Sequence, residues 1–396
     1  MRVLVVGSGG REHALAWSLS GSGALDELHA APGNPGIAGL AHCHPVRAED
    51  HAALASLCRE LRIDLVVVGP EAPLVAGLAD ELRHRGIAVF GPSAAAAQIE
   101  GSKSFAKDVT EAAGVPTART LPVAQAPCVV KLDGLAAGKG VWVCRTPEEL
   151  DSALQVVEAF EQPYHVEELL DGPELSLFAI AAGEDAVAFP PARDFKRIGD
   201  GDTGPNTGGM GSFSPLPDVA DQDAPQILET VHLPVLRELA RRGTPFQGLL
   251  YAGLMRTDEG LSVIEFNCRF GDPETQSLLP RLESDLLPLL AGDLSQPPEL
   301  GDLAAVTVVL AGGGYPASSD QGTPIEGVEE AEANGALVFH AGTALHDGSL
   351  VTNGGRILDV VGTGPTVEAA RSAAYDAAAR IDFAGMQLRT DIAAHG

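Results

Sequence analysis

Glu265 and Asn267 stand two residues apart in VIEFNCRFGDPE, at the end of an apolar run. Side chains at i and i+2 of a strand share a face. The pair therefore offers two hard oxygen donors on one side, the donor type that Mg2+ or Mn2+ takes when it bridges phosphates. Two residues on stands Arg269, whose planar guanidinium can hold an oxyanion with two parallel hydrogen bonds. A second constellation fills residues 129–143, VVKLDGLAAGKGVWV. It has the composition of a phosphate loop without the G-x-x-x-x-G-K-[ST] spacing. Only three residues separate Gly134 from Gly138, and Lys139 is followed by Gly140 instead of a hydroxyl. The GVWVCRT that comes next is β-branched and aromatic, which predicts a strand and not a helix start. A glycine hairpin between two antiparallel strands is expected, its backbone N–H groups folding over phosphate from above. Lys131, on the entering strand, places its charge beside the same phosphates.

Lysine usage points to the same region. Of 26 basic residues only five are lysines, namely Lys103, Lys107, Lys131, Lys139 and Lys196, and all fall within one 94-residue window. An ammonium on a flexible stem suits polyphosphate as a point charge; chance clustering in a lysine-poor chain is the competing explanation. The net charge of −28 argues against nucleic acid as a partner, since phosphate backbones need clustered cations. No apolar run approaches the roughly 18 residues of a membrane span, so no membrane association is expected. The start MRVLVVGSGG lacks the apolar core of a signal peptide. Five scattered cysteines, never C-x-x-C, fit reduced thiols and a cytoplasmic location. HCHP at 42–45 reads as loop rather than metal site, having no further ligands nearby in sequence.

Residues 1–100 alternate strands (RVLVVG, ELHAAPGN, DLVVVGPE, AVFGPS) with helices (GREHALAWSLS, EDHAALASLCRELR, PLVAGLADELRHRG), which predicts a doubly wound parallel sheet. GSGGREH follows the first strand and opens a helix, so the N–H groups of Gly9 and Gly10 are placed to take a phosphate, with Arg11 and Glu12 beside them. A dinucleotide site is the alternative reading, but no acidic residue ends the ELHAAPGN strand and the glycine spacing is G-x-G-G. Asn34 and Glu71, at strand C-termini, should line the same crevice. His13 is expected to pack or cap rather than act as a base. After Gly101 the pattern changes. GSKSFAKDVTEAAGV is a helix with a serine cap, and TPEELDSALQVVEAF one with a capping box from Thr146 to Glu149. Residues 190–217 read as a long Gly/Pro-rich loop, and two long strands meet at residues 258–260. LSQPPELGD marks a boundary near residue 300. The expected domains are 1–100, 101–300 with a lid at about 118–188, and 301–396. The fold class is α/β, with a small C-terminal α+β domain.

The segments GSGGREHALAW, APGNPG, VGPEAPL, EGSKSFAKD, DGLAAGKGV, DTGPNTGGMG, LYAGLM, IEFNCRFGDPETQ, AGGGYP and TNGGR, in this order, resemble the glycinamide ribonucleotide synthetase family of ATP-grasp enzymes. The resemblance runs from the first strand to the terminal RTDIA, and RFGDPETQ with DTGPNTGGMG is its most specific part. It implies ATP-dependent ligation of glycine to 5-phosphoribosylamine through a glycyl phosphate, with ADP and phosphate released, in purine synthesis. By this resemblance Lys103 and Lys131 contact ATP phosphates, and Gly138, Lys139 and Gly140 form the covering loop. Glu167 receives the adenine amino group, the backbone at Glu168 and Leu170 meets the other base edge, and Glu174 binds ribose. Glu265 and Asn267 hold Mg2+ or Mn2+; the further acidic ligand that many such enzymes place on the preceding strand is missing from LYAGLM. Asp194, Lys196 and the segment containing Asn206, Thr207, Gly208, Gly209 and Met210 close over glycine and the transferred phosphoryl. Phe195 stands where a polar or hydroxyl-bearing residue is usual. A monomer is expected. Two other readings stay beside this one: a carboxylating ATP-grasp enzyme, and a nucleotide sensor without catalysis.

Overall fold

RVLVVG and LVVV are short, β-branched and apolar throughout, the pattern of strands covered on both faces. In the structure, a computed structural model that describes residues 1–135, 140–160 and 162–394, they form Arg2–Gly7 and Leu65–Val68. These two are the centre of a five-stranded parallel sheet ordered His42–Cys43, Glu27–Pro32, Arg2–Gly7, Leu65–Val68, Ala88–Phe90. The strand order reverses between the two central strands, so a crevice opens beyond Gly7 and Gly69. Two details depart from expectation. HCHP supplies a short edge strand instead of only loop, and PLVAGLADELRHRG splits into Glu71–Val75 and Leu78–His84. Gly77 between those helices has φ +92°, a conformation that interrupts an α-helix and that glycine adopts without strain.

Cys128–Leu132 and Val141–Cys144 form the expected antiparallel flap, with Tyr164–Glu168 as its third strand. The expected lid continued to residue 188, but by pairing the flap sheet closes at Glu168. Glu174–Ala182 instead joins a central antiparallel sheet ordered Asp185–Ala188, Glu174–Ala182, Gln247–Thr257, Gly260–Asn267. Both caps form: Ser102 Oγ accepts from Phe105 N at 3.1 Å, and Thr146 and Glu149 bond reciprocally. Residues 190–217, expected as loop, contain four short strands: Arg193–Asp194, Arg197–Gly199, Thr203–Asn206 and Gly211–Ser214. Arg193–Asp194 and Gly211–Ser214 extend a sheet built on Ala304–Ala311, Arg356–Gly364 and Leu337–His340. Strands so short carry no period of their own; Gly211–Ser214 is held by pairing with the wholly buried Ala304–Ala311, and Arg193–Asp194 by pairing with Gly211–Ser214. That sheet also crosses the expected boundary near residue 300.

His232, in a widened helical turn beneath the central sheet, has no solvent exposure and no well-formed hydrogen bond at either ring nitrogen. Burial lowers its pKa from 6.5 to about 4. A histidine with a folded pKa below its unfolded one destabilises as pH falls through that window and is neutral to stability above it. His232→Leu should therefore gain melting temperature over the wild type by several degrees between pH 6.5 and 4. A difference between the two proteins that does not change with pH would contradict this.

Candidate functional site

The strand Gly260–Asn267 carries an irregularity against its partner: Val263 pairs with Leu254, but Glu265 pairs with Gly253. Ile264 is the extra residue, and a bulged residue leaves the ladder. Its carbonyl is free to accept from Lys131 Nζ at 2.8 Å, which ties the flap to the floor of the cleft. Beyond the bulge Glu265 and Asn267 stand on one face, as the two-residue spacing requires. Gly253 opposite explains the missing acid on the preceding strand, since a Cβ there would lie 2.9 Å from Glu265 Cγ. The floor strand has room for one carboxylate at this level.

Lys196 fills the space that remains. Its Nζ lies 3.0 Å from Glu174 Oε2 and 3.2 Å from Glu265 Oε1. Lys196 first of all, opposed by burial, keeps the Glu265 carboxyl below its ordinary pKa, so it is anionic at neutral pH. The side chains lie deep in the cleft, yet about 40% of the Glu265 and Glu174 surfaces remain open to solvent. Asp194, two residues before Lys196, is raised to about 8 by burial, against the pull of the ammonium. Phe195, between them, points the other way. Its ring packs near Phe213, with the Arg389 guanidinium 4.9 Å from its centre. Arg389 is 1% exposed and pairs with Asp202 and Asp391. Phe195 thus seats an arginine of the chain's last segment.

A second cluster of charge lies under the flap. Glu167 Oε2 is 2.6 Å from Lys131 Nζ, and Oε1 is 3.0 Å from Lys107 Nζ and 3.2 Å from His165 Nε2. Burial alone would raise this carboxyl, but the His165 hydrogen bond and the two ammoniums bring it down to about 2. The carboxylate expected at the adenine amino group is therefore engaged with cations, and the Glu167 backbone lies between Val129 and Thr120 in the sheet. The Glu168 N–H donates to the Arg119 carbonyl at 2.9 Å, and its carboxylate holds the Arg119 guanidinium. The backbone amide expected at the other base edge is thus already engaged; Leu170 is half-buried in the connection that follows. Lys103 starts the helix Lys103–Ala112, and its Nζ donates to the Gly134 carbonyl at 2.8 Å, at the mouth of the glycine loop. Gly140 closes that loop, its carbonyl accepting from Leu132 N at 2.8 Å. Gly138 and Lys139 lie outside the described residues.

On the other side of the cleft, Arg269 is not a free fork. It donates to Glu71 at 3.2 Å, Glu100 at 2.9 Å and the Phe270 carbonyl at 3.2 Å, with Asn267 Oδ1 at 3.4 Å. Burial pushes the Glu71 carboxyl up, but Arg269 and Arg11 overcome this and hold it at about 2. The glycine turn is likewise filled from within. The Gly9 N–H donates to Glu12 Oε2 at 2.6 Å, so an internal carboxylate takes the place expected for phosphate. Arg11 bonds Glu12 and the Phe270 carbonyl, and a Cβ on Gly10 would lie 1.8 Å from Asp359 Oδ2. Asn34 is also engaged, donating to the Ser8 and His340 carbonyls and accepting from Ile37 N. It joins the first and last domains instead of lining a crevice. His13 does the same, its Nδ1 accepting from His340 N at 2.7 Å. Residues 206–210 wrap the backbone of the Asp194–Lys196 segment: Thr207 N and Oγ1 donate to the Lys196 carbonyl, Gly209 N to Thr207 Oγ1, and Met210 N to the Phe195 carbonyl. Asn206 pairs with Arg197.

Sequence reasoning placed no role on Lys107 or Glu100. Lys107 had a signal in the lysine census. Glu100, which also accepts from Cys268 N at 2.8 Å, had none, because its partners lie 168 and 169 residues away.

The comparisons with known proteins bear on the whole chain. Residues 1–100, 101–275 and 305–395 match the N, ATP-grasp (A) and C domains of phosphoribosylglycinamide synthetase. The phosphoribosylamine–glycine ligase of Streptomyces coelicolor is 51% identical over 415 residues, covering 100% of this chain and 99% of that protein. The crystal structure of phosphoribosylamine–glycine ligase from Thermotoga maritima superposes with a TM-score of 0.85 at 36% identity, covering 99% of this chain and 100% of the other. The biotin carboxylase domain of Hydrogenobacter thermophilus 2-oxoglutarate carboxylase shares the fold, with a TM-score of 0.70 at 16% identity over 98% of this chain and 91% of that one.

Proposed function

Because the chain belongs to the phosphoribosylglycinamide synthetase family, we propose that it joins glycine to 5-phospho-D-ribosylamine at the expense of ATP. The products are glycinamide ribonucleotide, ADP and phosphate. The glycine carboxylate takes the γ-phosphoryl group, and the amine of the ribosylamine then displaces phosphate from the acyl phosphate. The chemistry asks for position and charge neutralisation and not for a covalent enzyme intermediate.

One observation carries the residue assignments: a single ammonium, Lys196 Nζ, spans the acid expected at the ribose, Glu174, and the acid expected at the metal, Glu265. In this arrangement one ammonium is shared by two carboxylates. With nucleotide bound, Glu174 turns to the ribose hydroxyls, and Lys196 becomes free for the transferred phosphoryl and for the carboxylate of glycine. Mg2+ or Mn2+ fits the donor set, one anionic carboxylate and one amide oxygen on one face, and would supply charge neutralisation between phosphate groups. Glu265 and Asn267 would hold it. Phosphate and water oxygens would supply the remaining donors. Lys131, on the hairpin's entering strand, and Lys103, at the start of the helix that reaches Gly134, take the phosphates from the flap side, with Gly138, Lys139 and Gly140 in the covering loop. Asp194 carries a proton near neutrality and can donate a hydrogen bond toward an acyl phosphate oxygen. The ribosylamine enters by the crevice beyond Gly7 and Gly69, at the level of Glu12 and Glu71. Arg269 holds Glu71 and Asn267 in place, linking the two halves of the reaction. The enzyme acts as a monomer in the cytoplasm, and no described helix is long and apolar enough to cross a membrane.

The test is ADP release with ATP, Mg2+, phosphoribosylamine made in situ and glycine. ADP should appear only when glycine is present, and glycinamide ribonucleotide should accumulate with it. ADP release supported by bicarbonate in place of glycine would point to a carboxylating enzyme, and nucleotide binding without turnover to a sensor.

A further inference from the structure

AGGGYP, from Ala311, and TNGGR, from Thr352, lie in the C-terminal domain, and no step of the reaction has yet used them. The fold brings them together. Gly312 N donates to the Gly355 carbonyl at 2.8 Å, and Gly355 is bare because a Cβ there would lie 2.5 Å from the Tyr315 ring. The pair of motifs thereby aims two side chains at the glycines of the TGGM segment. Arg356 Nη1 donates to the Gly208 carbonyl at 2.7 Å and to the Asp272 carbonyl at 2.8 Å, while Nη2 meets Asp272 Oδ2 at 2.6 Å. From the other side the Tyr315 hydroxyl accepts from Gly208 N at 2.9 Å. Both backbone groups of Gly208 are therefore held by the C-terminal domain. The next residue is pressed against the RFGDPETQ turn. Gly209 has φ +112°, and a Cβ on it would lie 2.5 Å from Pro273 Cδ.

We propose that Arg356 and Tyr315 are positioning residues, a clasp from the C-terminal domain that sets residues 206–210 at the height at which they close over glycine and the acyl phosphate. Arg356 touches no reacting atom. It works through two carbonyls and a carboxylate in fixed directions, a task for a planar fork and not for a point charge. The lever is short. Gly208 follows Thr207, whose amide and hydroxyl both hold the Lys196 carbonyl, so a shift of the clasp is passed to Lys196 within one residue. Asp272 extends the clasp toward the amine side through Gln276, which bridges it to the buried Asp359 at 2.8 Å on each side. The C-terminal domain is on this view part of the catalytic geometry and not a cover for the other two.

The inference rests on the reading of residues 206–210 as the glycine-side segment, and the experiment separates the two. In the full-length protein, Tyr315→Phe removes one acceptor, while Arg356→Lys keeps the charge and loses the fork. Melting temperatures close to wild type are required of both, and Tyr315→Phe alone suffices if Arg356→Lys fails to fold. Tyr315→Phe is expected to raise the KM for glycine by about 5-fold, the loss of one hydrogen bond. Arg356→Lys should lower kcat/KM for glycine by about 10²-fold, as for a displaced reacting group. The KM for ATP should stay within about twofold in both, and hydrogen exchange in residues 203–211 should quicken. Variants with wild-type glycine kinetics, or with all three substrates weakened equally alongside a lower melting temperature, overturn the clasp. Failure of the ligase reading appears elsewhere, as wild-type protein that releases ADP without glycine.

Discussion

Glu265→Gln is expected to lower kcat by about 10²–10³-fold at saturating Mg2+, with little change in melting temperature. The substitution keeps size and shape and removes one negative charge. That charge is present in the resting site, because Lys196 keeps the carboxyl below its ordinary pKa. It is also irreplaceable by a neighbour. Gly253 opposite leaves no side chain to take over, and Asn267 on the same face is neutral. Glutamine keeps an oxygen for a cation but not the charge that offsets two phosphate groups being forced together. A rate within about twofold of wild type under the same conditions would remove Glu265 from the metal site.

Lys196→Met should be comparably severe, about 10²–10³-fold in kcat/KM for glycine, for a different reason. In the resting site its ammonium is the cation that Glu174 and Glu265 share, and it also faces Asp194. Without it Glu174 and Glu265 lose the cation they share, and the transferred phosphoryl loses its nearest positive charge on the glycine side. Asp194 would hold its proton more tightly still, because burial already raises it and the opposing ammonium would be gone. Lys196→Arg should recover only part of the loss, since a fork cannot occupy a space shaped for a point donor between two carboxylates. A methionine variant that kept wild-type glycine kinetics would show that Lys196 serves only as a resting counter-ion.

What was legible in the sequence divides along physical lines. The central strands of the N-terminal domain, the flap and the paired long strands announced themselves because apolar runs and a glycine hairpin have local signatures. So did Glu265 and Asn267, whose common face follows from strand period alone, although the bulge at Ile264 that gives Lys131 its anchor was not visible. The strands Arg193–Asp194 and Gly211–Ser214 were taken for loop, because what makes them strands is pairing with each other and, for Gly211–Ser214, with Ala304–Ala311 far along the chain. The largest gap concerned engagement. Residue types suggested that Glu167, Arg269, Glu12 and Asn34 were free to meet ligands. Each is instead tied to the protein, Glu167 to two lysines and Arg269 to two glutamates. A motif shows which group is present; only the fold shows what already holds it. The lysine census was the exception, since scarcity elsewhere in the chain singled out Lys107 before any partner was known.

All these assignments require the triphosphate to lie between the flap and the floor strand. The direct measurement is a crystal structure of the protein with Mg2+ and a non-hydrolysable ATP analogue. The expected result has the metal bonded to Glu265 and Asn267, the phosphates within reach of Lys131 and Lys103, and Lys196 Nζ withdrawn from Glu265 toward the γ-phosphate. A nucleotide bound away from the flap, or a bound metal that leaves the Lys196–Glu265 pair intact, would contradict it.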